Sequence, residues 1–282
     1  MTEEDKLVLT ALSEARLGTS GWWRGECPFC EDRVGTADKH GAFGVRAANG
    51  VFHCFRCGIV GRLREVPDTH WREPKETDEP DAVIEPPGSF LPLAEEPAAS
   101  ALIARPAHQY LARRSVTRTT IAEVGIGFCP SGFYSDRIVV PVASVDGDAW
   151  VGWVSRAWVK CEQPYLYPKG MKRTILFNHA AILKESDDPI LVVEGVFDAL
   201  PYWPDAVACL GKPTQLQMVA LASARRPVVM ALDGDAWEEG WALAQQLRFA
   251  GTRAGNVRLP PCLDPNDVDP SWLRSEARAC LN

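Results

Sequence analysis

The sequence has no apolar run approaching the roughly 18–20 residues that a membrane-spanning helix needs, which argues against a membrane partner. It shows no secretory signal either. Its first residues, MTEEDKLVLTALSEARLG, are acidic and amphipathic, with Leu7, Leu9, Leu12 and Leu17 at near-helical intervals. It has no internal repeat, so a solenoid or propeller is not expected. A reducing cytoplasm is the expected setting, and there the nine cysteines are not a disulfide framework: their number is odd and nothing directs export.

What is present suits a globular chain. Its 282 residues, 46% hydrophobic and 24% charged, can bury a sizeable core in one or two domains. The net charge of −7 would argue against a nucleic-acid partner if it were spread evenly. It is not: residues 63–99 hold ten acidic and three basic residues, enough to account for the whole imbalance. Residues 100–176 hold ten basic and five acidic, so a basic region follows directly on an acidic one.

The acidic stretch, REVPDTHWREPKETDEPDAVIEPPGSFLPLAEEPAAS, is rich in Pro and Glu and has neither the helical nor the strand period, which predicts a flexible linker. It divides the chain into a cysteine-bearing module (1–62), the linker (63–99) and a body. Within the body, ALIARPAHQYLARRSV and TRTTIAEVGI are expected helices, with Thr117 or Thr119 as cap. RIVVPVASVDGDAWVGWVSRAWV reads as a hairpin turning at Asp146-Gly147-Asp148. From residue 189 apolar strands and helices alternate: PILVVEG, VFDALPYW, AVACLG, TQLQMVALASAR, PVVMALDGD, AWEEGWALAQQLRFAG and NVRLP. That alternation predicts an α/β fold with a parallel sheet.

In the first module, Cys27 and Cys30 of CPFC are followed after 23 residues by Cys54 and Cys57 of CFRC. Two such knuckles suit one tetrahedral zinc ion. The intervening GAFGVRAANGVFHCF alternates as two strands about an Asn49-Gly50 turn, so the module reads as a zinc ribbon. Four-thiolate ligation supplies folding energy, about 10–16 kcal/mol in small zinc peptides, that so small a piece otherwise lacks. His40 and His53 are ligand types, but the cysteines fill the shell. Trp22, Trp23, Phe52 and Phe55 admit two readings, as covers for the small core or as exposed rings that stack on unpaired bases. Cys129, Cys161, Cys209, Cys262 and Cys280 have no ligand spacing and are expected to pack.

VVMALDGDAW, residues 228–237, poses a choice: its DGD is either a turn or a pair of metal ligands. The neighbouring motifs bear on it. LVVEGVFDAL ends an apolar strand in Glu194, and LPPCLDPNDVDP places Asp264, Asn266 and Asp267 after another. In an open parallel sheet, ligands sit beyond the carboxyl ends of the strands, so these acids are expected to converge. Clustered carboxylates repel unless a cation holds them, and hard Mg²⁺ or Mn²⁺ suits oxygen ligands.

With these motifs in order, the chain resembles the bacterial and phage-type DNA primases, which join a zinc-binding domain to a Toprim catalytic core. CPFC with FHCFRCGIVG resembles the primase zinc ribbon, and HQYLARRSVTRTTIAEVGIGFCPSG the start of the polymerase domain. RIVVPV, GWVSRAW and YLYPKGMKRTILFN resemble its basic subdomain (100–188). VVEGVFDAL, VACLGKPTQLQ, ALDGDAW and LDPND resemble its Toprim half (189–282).

The resemblance implies synthesis of short RNA primers from NTPs on a single-stranded DNA template, by metal-dependent nucleotidyl transfer. Glu194 matches a glutamate for acid–base chemistry or metal placement, Asp233 and Asp235 the metal pair, and Asp264 the first acid of the last motif. Asn266 stands where a second acid is common, so Asn266 or Asp267 takes that role. Arg137 and Arg156 match arginines that face template or nucleotide, and Lys172 matches a lysine before the LFN strand. Pro164 stands where a lysine is common, with Lys169 as its substitute. One structural zinc and one or two Mg²⁺ or Mn²⁺ ions are implied, with a separate replicative helicase as a further partner. The chain ends soon after Asp267, which suggests a compact phage or mobile-element primase in a bacterial cell or infected host. The rival readings are a Toprim nuclease or topoisomerase, and a non-enzymatic ribbon that binds single-stranded DNA.

Overall fold

A computed structural model describes residues 3–12, 16–17, 22–46, 50–63, 83–95, 101–172 and 174–281. Most of the expected linker (64–82 and 96–100) and Asn49 of the expected turn lie outside the described residues.

The N-terminal module contains α1 (Glu3–Leu12), β1 (Arg16–Leu17), β2 (Trp22–Gly25), α2 (Cys30–Val34), β3 (Phe43–Arg46), β4 (Val51–Cys54) and β5 (Val60–Arg62). The strands form one antiparallel sheet in chain order, and β3 pairs with β4 as the alternation predicts. Val8, Phe43, Val45 and Phe52 make its small core. Buried Asp38 ties the chain beneath the cysteines, accepting from the backbone N–H groups of Cys27 (3.1 Å), His40 (2.9 Å) and Ala42 (2.8 Å).

The second sheet is antiparallel, in the order β10-β9-β8-β7-β6. It comprises β6 (Leu91–Pro92), β7 (Gly127–Cys129), β8 (Arg137–Ala143), β9 (Trp150–Ala157) and β10 (Tyr165–Leu166). The expected helices are α3 (Ala101–Arg113) and α4 (Arg118–Val124), and Thr117 is the residue that caps α4. Asp146-Gly147-Asp148 lies in the turn between β8 and β9: Gly147 sits at φ +84° and the Asp146 carboxylate accepts from Asp148 N–H at 3.2 Å.

Residues 83–95 depart from the linker expectation. Ile84 N–H donates to Trp150 O (2.8 Å), Leu93 N–H to Ile126 O (2.9 Å), and β6 pairs with β7. Ile84, Phe90, Leu91 and Leu93 are the reason: these apolar residues sit inside an acidic, Pro-rich run whose average hides them.

The third sheet is parallel, in the order β12-β11-β13-β14. Its chain order is β11 (Ile190–Val193), α5 (Val196–Ala199), β12 (Ala206–Ala208), α6 (Gln215–Leu221), β13 (Val228–Met230), α7 (Trp237–Phe249), β14 (Ala254–Asn256) and α8 (Pro270–Ala279). Strands β11, β12 and β13 are buried throughout, as unbroken apolar strands in a two-sided sheet should be. Strand β14 starts earlier than NVRLP suggests, with Ala254 and Gly255 pairing to Val228 and Val229. Pro260 and Pro261 have no N–H to continue the ladder. Helix α8 was not anticipated; Asp269 caps it, accepting from Ser271 and Trp272 N–H at 2.9 and 3.0 Å, with Pro270 in the first turn.

The N-terminal module packs against the third sheet. Trp22 and Phe55 join the cluster of Met218, Val219 and Ala222 around α6, and the Arg24 guanidinium donates to Val219 O (3.3 Å) and Ser223 Oγ (3.1 Å). Arg46 donates to Gly251 O at 3.3 Å. Residues 222–224 and 251 precede β13 and β14, so the module is docked toward the amino ends of the parallel strands. Among the described residues no helix is long and apolar enough to cross a membrane.

Glycine 127 permits the β6–β7 pairing, because a Cβ there would lie 2.4 Å from Leu91 O and 2.2 Å from the Phe90 ring. Gly127→Ala should therefore destabilise the second sheet by about 1–3 kcal/mol. Hydrogen exchange would show it as lost protection at Ile84 and Leu93 N–H; unchanged protection there would mean the 83–95 segment is not held in this way.

Candidate active site and metal centre

The four cysteines of the ribbon converge. Among the described residues, theirs is the one group of three or more such side chains whose ligand atoms all lie within 4.8 Å of one another. Cys27 and Cys57 Sγ are 3.7 Å apart, Cys30 and Cys54 Sγ 3.6 Å. A tetrahedron with Zn–S bonds of about 2.3 Å has edges of roughly 3.8 Å, so the spacing fits. Backbone N–H groups of Phe29, Arg56 and Cys57 point at Cys27 or Cys54 Sγ at 3.4–3.5 Å, stabilising thiolate. Thiol hydrogen bonding from Cys27, with those amides, draws the Cys54 thiol down to about 6, while burial pushes Cys30 up to about 12. Such a shell ionises fully only around a cation. His53 stands outside it: burial lowers its pKa to about 4, and its ring packs edge-on against Phe55. Trp22, Trp23, Phe52 and Phe55 are all buried, so the covering role is theirs and stacking on bases is not.

At the carboxyl ends of the parallel strands, β11 delivers Glu194, β13 delivers Asp233 and Asp235, and the loop after β14 carries Asp264 and Asp267. Gly234 lets that loop close on β13: its N–H donates to Leu263 O (2.9 Å), and a Cβ there would meet Pro260 O at 2.1 Å. Burial, then neighbouring Asp264, Asp235 and Asp267, raise the pKa of Asp233. Glu194 is raised by burial and then by Asp233. The Asp233 Oδ1 atom is buried without a hydrogen-bond partner. The carboxylates thus sense one another without closing to ligand spacing, and that orphaned oxygen with an all-oxygen donor set fits a hard divalent cation.

Asp198 belongs to this group, although no role was assigned to it from the sequence. One turn after Glu194, it is raised to about 7 by burial and by Asp264 and Asp233, with Arg114 opposing. The i, i+4 spacing in EGVFD is the signal that could have found it. Arg114 was missed as well. It stacks on Tyr110 (5.1 Å) and donates to Asn266 Oδ1 (3.4 Å), bringing positive charge from the end of α3 to the acids. Lys212, ion-paired with Glu239 at 2.7 Å, bears on Glu194 in the same sense.

Asn266 and Asp267 are placed differently. The Asn266 amide donates to Arg114 O (3.2 Å) and Phe197 O (3.4 Å), so it joins the last loop to α3 and α5. Asp267 is exposed and acts on Asp233.

The basic candidates divide. Arg137, at the start of β8, is 9% exposed and donates to Gln163 O (2.7 Å) and Pro164 O (3.1 Å), so in this structure its guanidinium braces the loop between β9 and β10. Arg156 lies over Tyr165 (4.4 Å) and donates to Tyr110 Oη (3.0 Å), on the same side as Arg114. Lys169 and Lys172 lie exposed on the loop after β10.

The chain thus combines a four-cysteine ribbon docked on a parallel sheet, acids at that sheet's carboxyl edge and an antiparallel sheet beside it. No family model matches the chain. DNA primases of Rickettsia bellii and Geobacillus stearothermophilus are each 23% identical to it, over 323 and 319 residues, covering 88% and 86% of this chain. The chain spans about half the length of these curated relatives, 52% in each case. The zinc-binding and RNA polymerase domains of Aquifex aeolicus primase superpose with a TM-score of 0.55 at 19% identity, covering all of this chain and 85% of that one. The E. coli primase catalytic core gives 0.53 at 22% identity, over 64% of this chain and 75% of that one. The fold is that of a DnaG-like primase.

If Asn266 is a brace and Asp267 the working acid, their substitutions should separate. Asn266→Ala should lower the denaturant midpoint by the equivalent of about 1–3 kcal/mol, since it strands two carbonyls and Arg114. Asp267→Asn should leave the midpoint in place and weaken Mn²⁺ binding measured by calorimetry. The opposite pairing of effects would reverse the two roles.

Proposed function

We propose that the chain is the ribbon and polymerase part of a DNA primase, joining NTPs into short RNA primers on single-stranded DNA. The observation that carries this reading is the convergence of Glu194, Asp233, Asp235, Asp264 and Asp267 at the carboxyl edge of a primase-type sheet, with Asp233 Oδ1 buried and unpartnered. Asp233, Asp235, Asp264 and Asp267 would hold one or two Mg²⁺ or Mn²⁺ ions. Bound there, such ions would neutralise the attacking 3′-oxygen and the leaving pyrophosphate.

The residues of the chain supply the remainder. Glu194, raised by burial, would take a proton near the reacting hydroxyl or orient a metal ligand. Asp198, at about 7, can hold a proton or release it to a neighbouring charge at neutral pH. Arg114 and Lys212 offset the acids, while Arg156, Lys169 and Lys172 offer positive charge to template and triphosphate phosphates. The four cysteines would bind one structural zinc, whose ribbon selects the initiation site once it leaves its docked position.

The direct test is incubation with single-stranded DNA, labelled NTPs and Mg²⁺, beside an Asp233→Ala/Asp235→Ala variant. NTP incorporation by the native protein is expected, falling at least ~10³-fold in the variant while far-ultraviolet circular dichroism is unchanged. No incorporation on any template, with metal-dependent nicking instead, would make it a Toprim nuclease. For the ribbon, one zinc per chain is expected by atomic absorption, lost in Cys54→Ser together with the fold of residues 22–63; a folded, zinc-free native protein would contradict it.

A further inference from the structure

Two tryptophans lie on the outer face of α7, which begins two residues after Asp235. Trp237 and Trp241 are one turn apart, their rings near-parallel (19°) with centroids 6.3 Å apart. Arg258, following β14, lies over Trp237 at 4.8 Å, and Arg248 over Trp241 at 5.7 Å. Positions 237, 241 and 248, four and seven apart, fall on one stripe of the helix. The result is a ladder, Arg258–Trp237–Trp241–Arg248, running outward from the acid-bearing loop.

Its composition does not serve the core. Trp241 is 45% exposed, and Arg248 and Arg258 are exposed. An indole half in water forgoes much of the burial that makes Trp useful inside a protein. Arg248 is anchored by its Nε–H to Ala254 O (2.6 Å), but Arg258 makes no hydrogen bond or ion pair among the described residues. Along α7 itself Glu239 is paired with Lys212, leaving exposed Glu238 against two arginines, while Asp233, Asp235 and Asp264 lie at the inner end of the ladder.

We propose that this ladder is a binding track for a single nucleic-acid strand, with unpaired bases stacked on Trp237 and Trp241 and the arginines on its phosphates. Every base has a π-face that an indole can hold, and a guanidinium lying on that indole can swing aside to a phosphate, exchanging its contact with the ring for an ion pair. The position adds direction. Gly234 fits against Pro260 and Arg258 lies two residues before it, so the inner end of the track adjoins Asp233, Asp235 and Asp264. A strand leaving the acid site along α7 would meet Arg258 and Trp237 first, then Trp241 and Arg248. The track rests on the proposed primase function only for which strand it carries, template or primer.

The test uses the full chain with fluorescein-labelled single-stranded DNA and with RNA of the same sequence, read by anisotropy. Trp241→Ala should weaken binding about tenfold, Trp241→Phe should restore most of it, and Arg258→Gln should lower the salt slope by about one. Photocrosslinking of a 5-iodouracil oligonucleotide should label the peptide holding Trp237 and Trp241. Tighter Trp241-dependent binding of DNA than RNA assigns the track to the template, and the reverse to the primer. Unchanged affinity in Trp241→Ala, crosslinks confined to other peptides, or a Trp241-dependent dimer by sedimentation would each overturn the proposal. Trp241-dependent DNA binding by a native protein that makes no primers would sink the primase reading alone; primer synthesis without it would sink the track alone.

Discussion

The structure is organised around the repulsion among carboxylates gathered at one edge of a parallel sheet. Glu194, Asp198 and Asp233 are all raised by burial and then by neighbouring carboxylates, so the acid group opposes the fold until protons or cations arrive. What keeps the acids together is backbone and neutral hydrogen bonding. Gly234 closes against the 260–263 loop, and the Tyr202 hydroxyl holds Pro265 O at 2.5 Å. Asn266 ties that loop to Arg114 and Phe197. A neutral Asn suits that brace because it satisfies two carbonyls without adding charge to a crowded site.

That constraint also explains why the antiparallel and parallel sheets form one unit. Arg114, at the end of α3, is the cation that opposes the raised pKa of Asp198, and Tyr110 from the same helix holds both Arg114 and Arg156. Tyr110 and Tyr165 in turn pack against Phe197 of α5, at 5.9 and 6.2 Å. Basic charge from the helix beside the second, antiparallel sheet is thereby delivered to the acids of the third, parallel one. The net charge of −7 conceals this arrangement, because the compensating residues are positioned by packing and not by sequence neighbourhood.

The parts legible in sequence were those with a local period or fixed spacing. Apolar strands ending in acids gave the parallel sheet and three of its acid-bearing ends, and the two CxxC knuckles gave the ribbon site. The two DGD motifs could be separated because only Asp233 and Asp235 end a strand in a parallel array; Asp146 and Asp148 join antiparallel neighbours. Residues 83–95 were misread because four apolar side chains were averaged into an acidic run. Arg114 carried no expectation, since its approach to the acids depends on a helix crossing that no local pattern encodes, and the burial of Arg137 against the 163–164 backbone is equally remote in sequence. Asp198 was visible but unassigned, because its raised pKa arises from Asp264 and Asp233, remote in sequence.

The aromatic residues make the same point about partners. Trp22 and Phe55 look like stacking residues in a ribbon sequence, yet burying them against α6 gives more than leaving them in water, at about 25 cal/mol per Å² of apolar area. Arg24 and Arg46 reinforce that contact through carbonyls of the parallel domain. A ribbon held in this way has its aromatic surface spent and lies toward the amino ends of the strands, opposite the acids. On the proposed function, base recognition near the acids in this conformation falls to the rest of the chain. There the exposed indole of Trp241 and the cation of Arg258 are not consumed by the core. Releasing the ribbon would expose Trp22 and Phe55 at an apolar cost, so its engagement with a strand has to offset that cost before it gains anything.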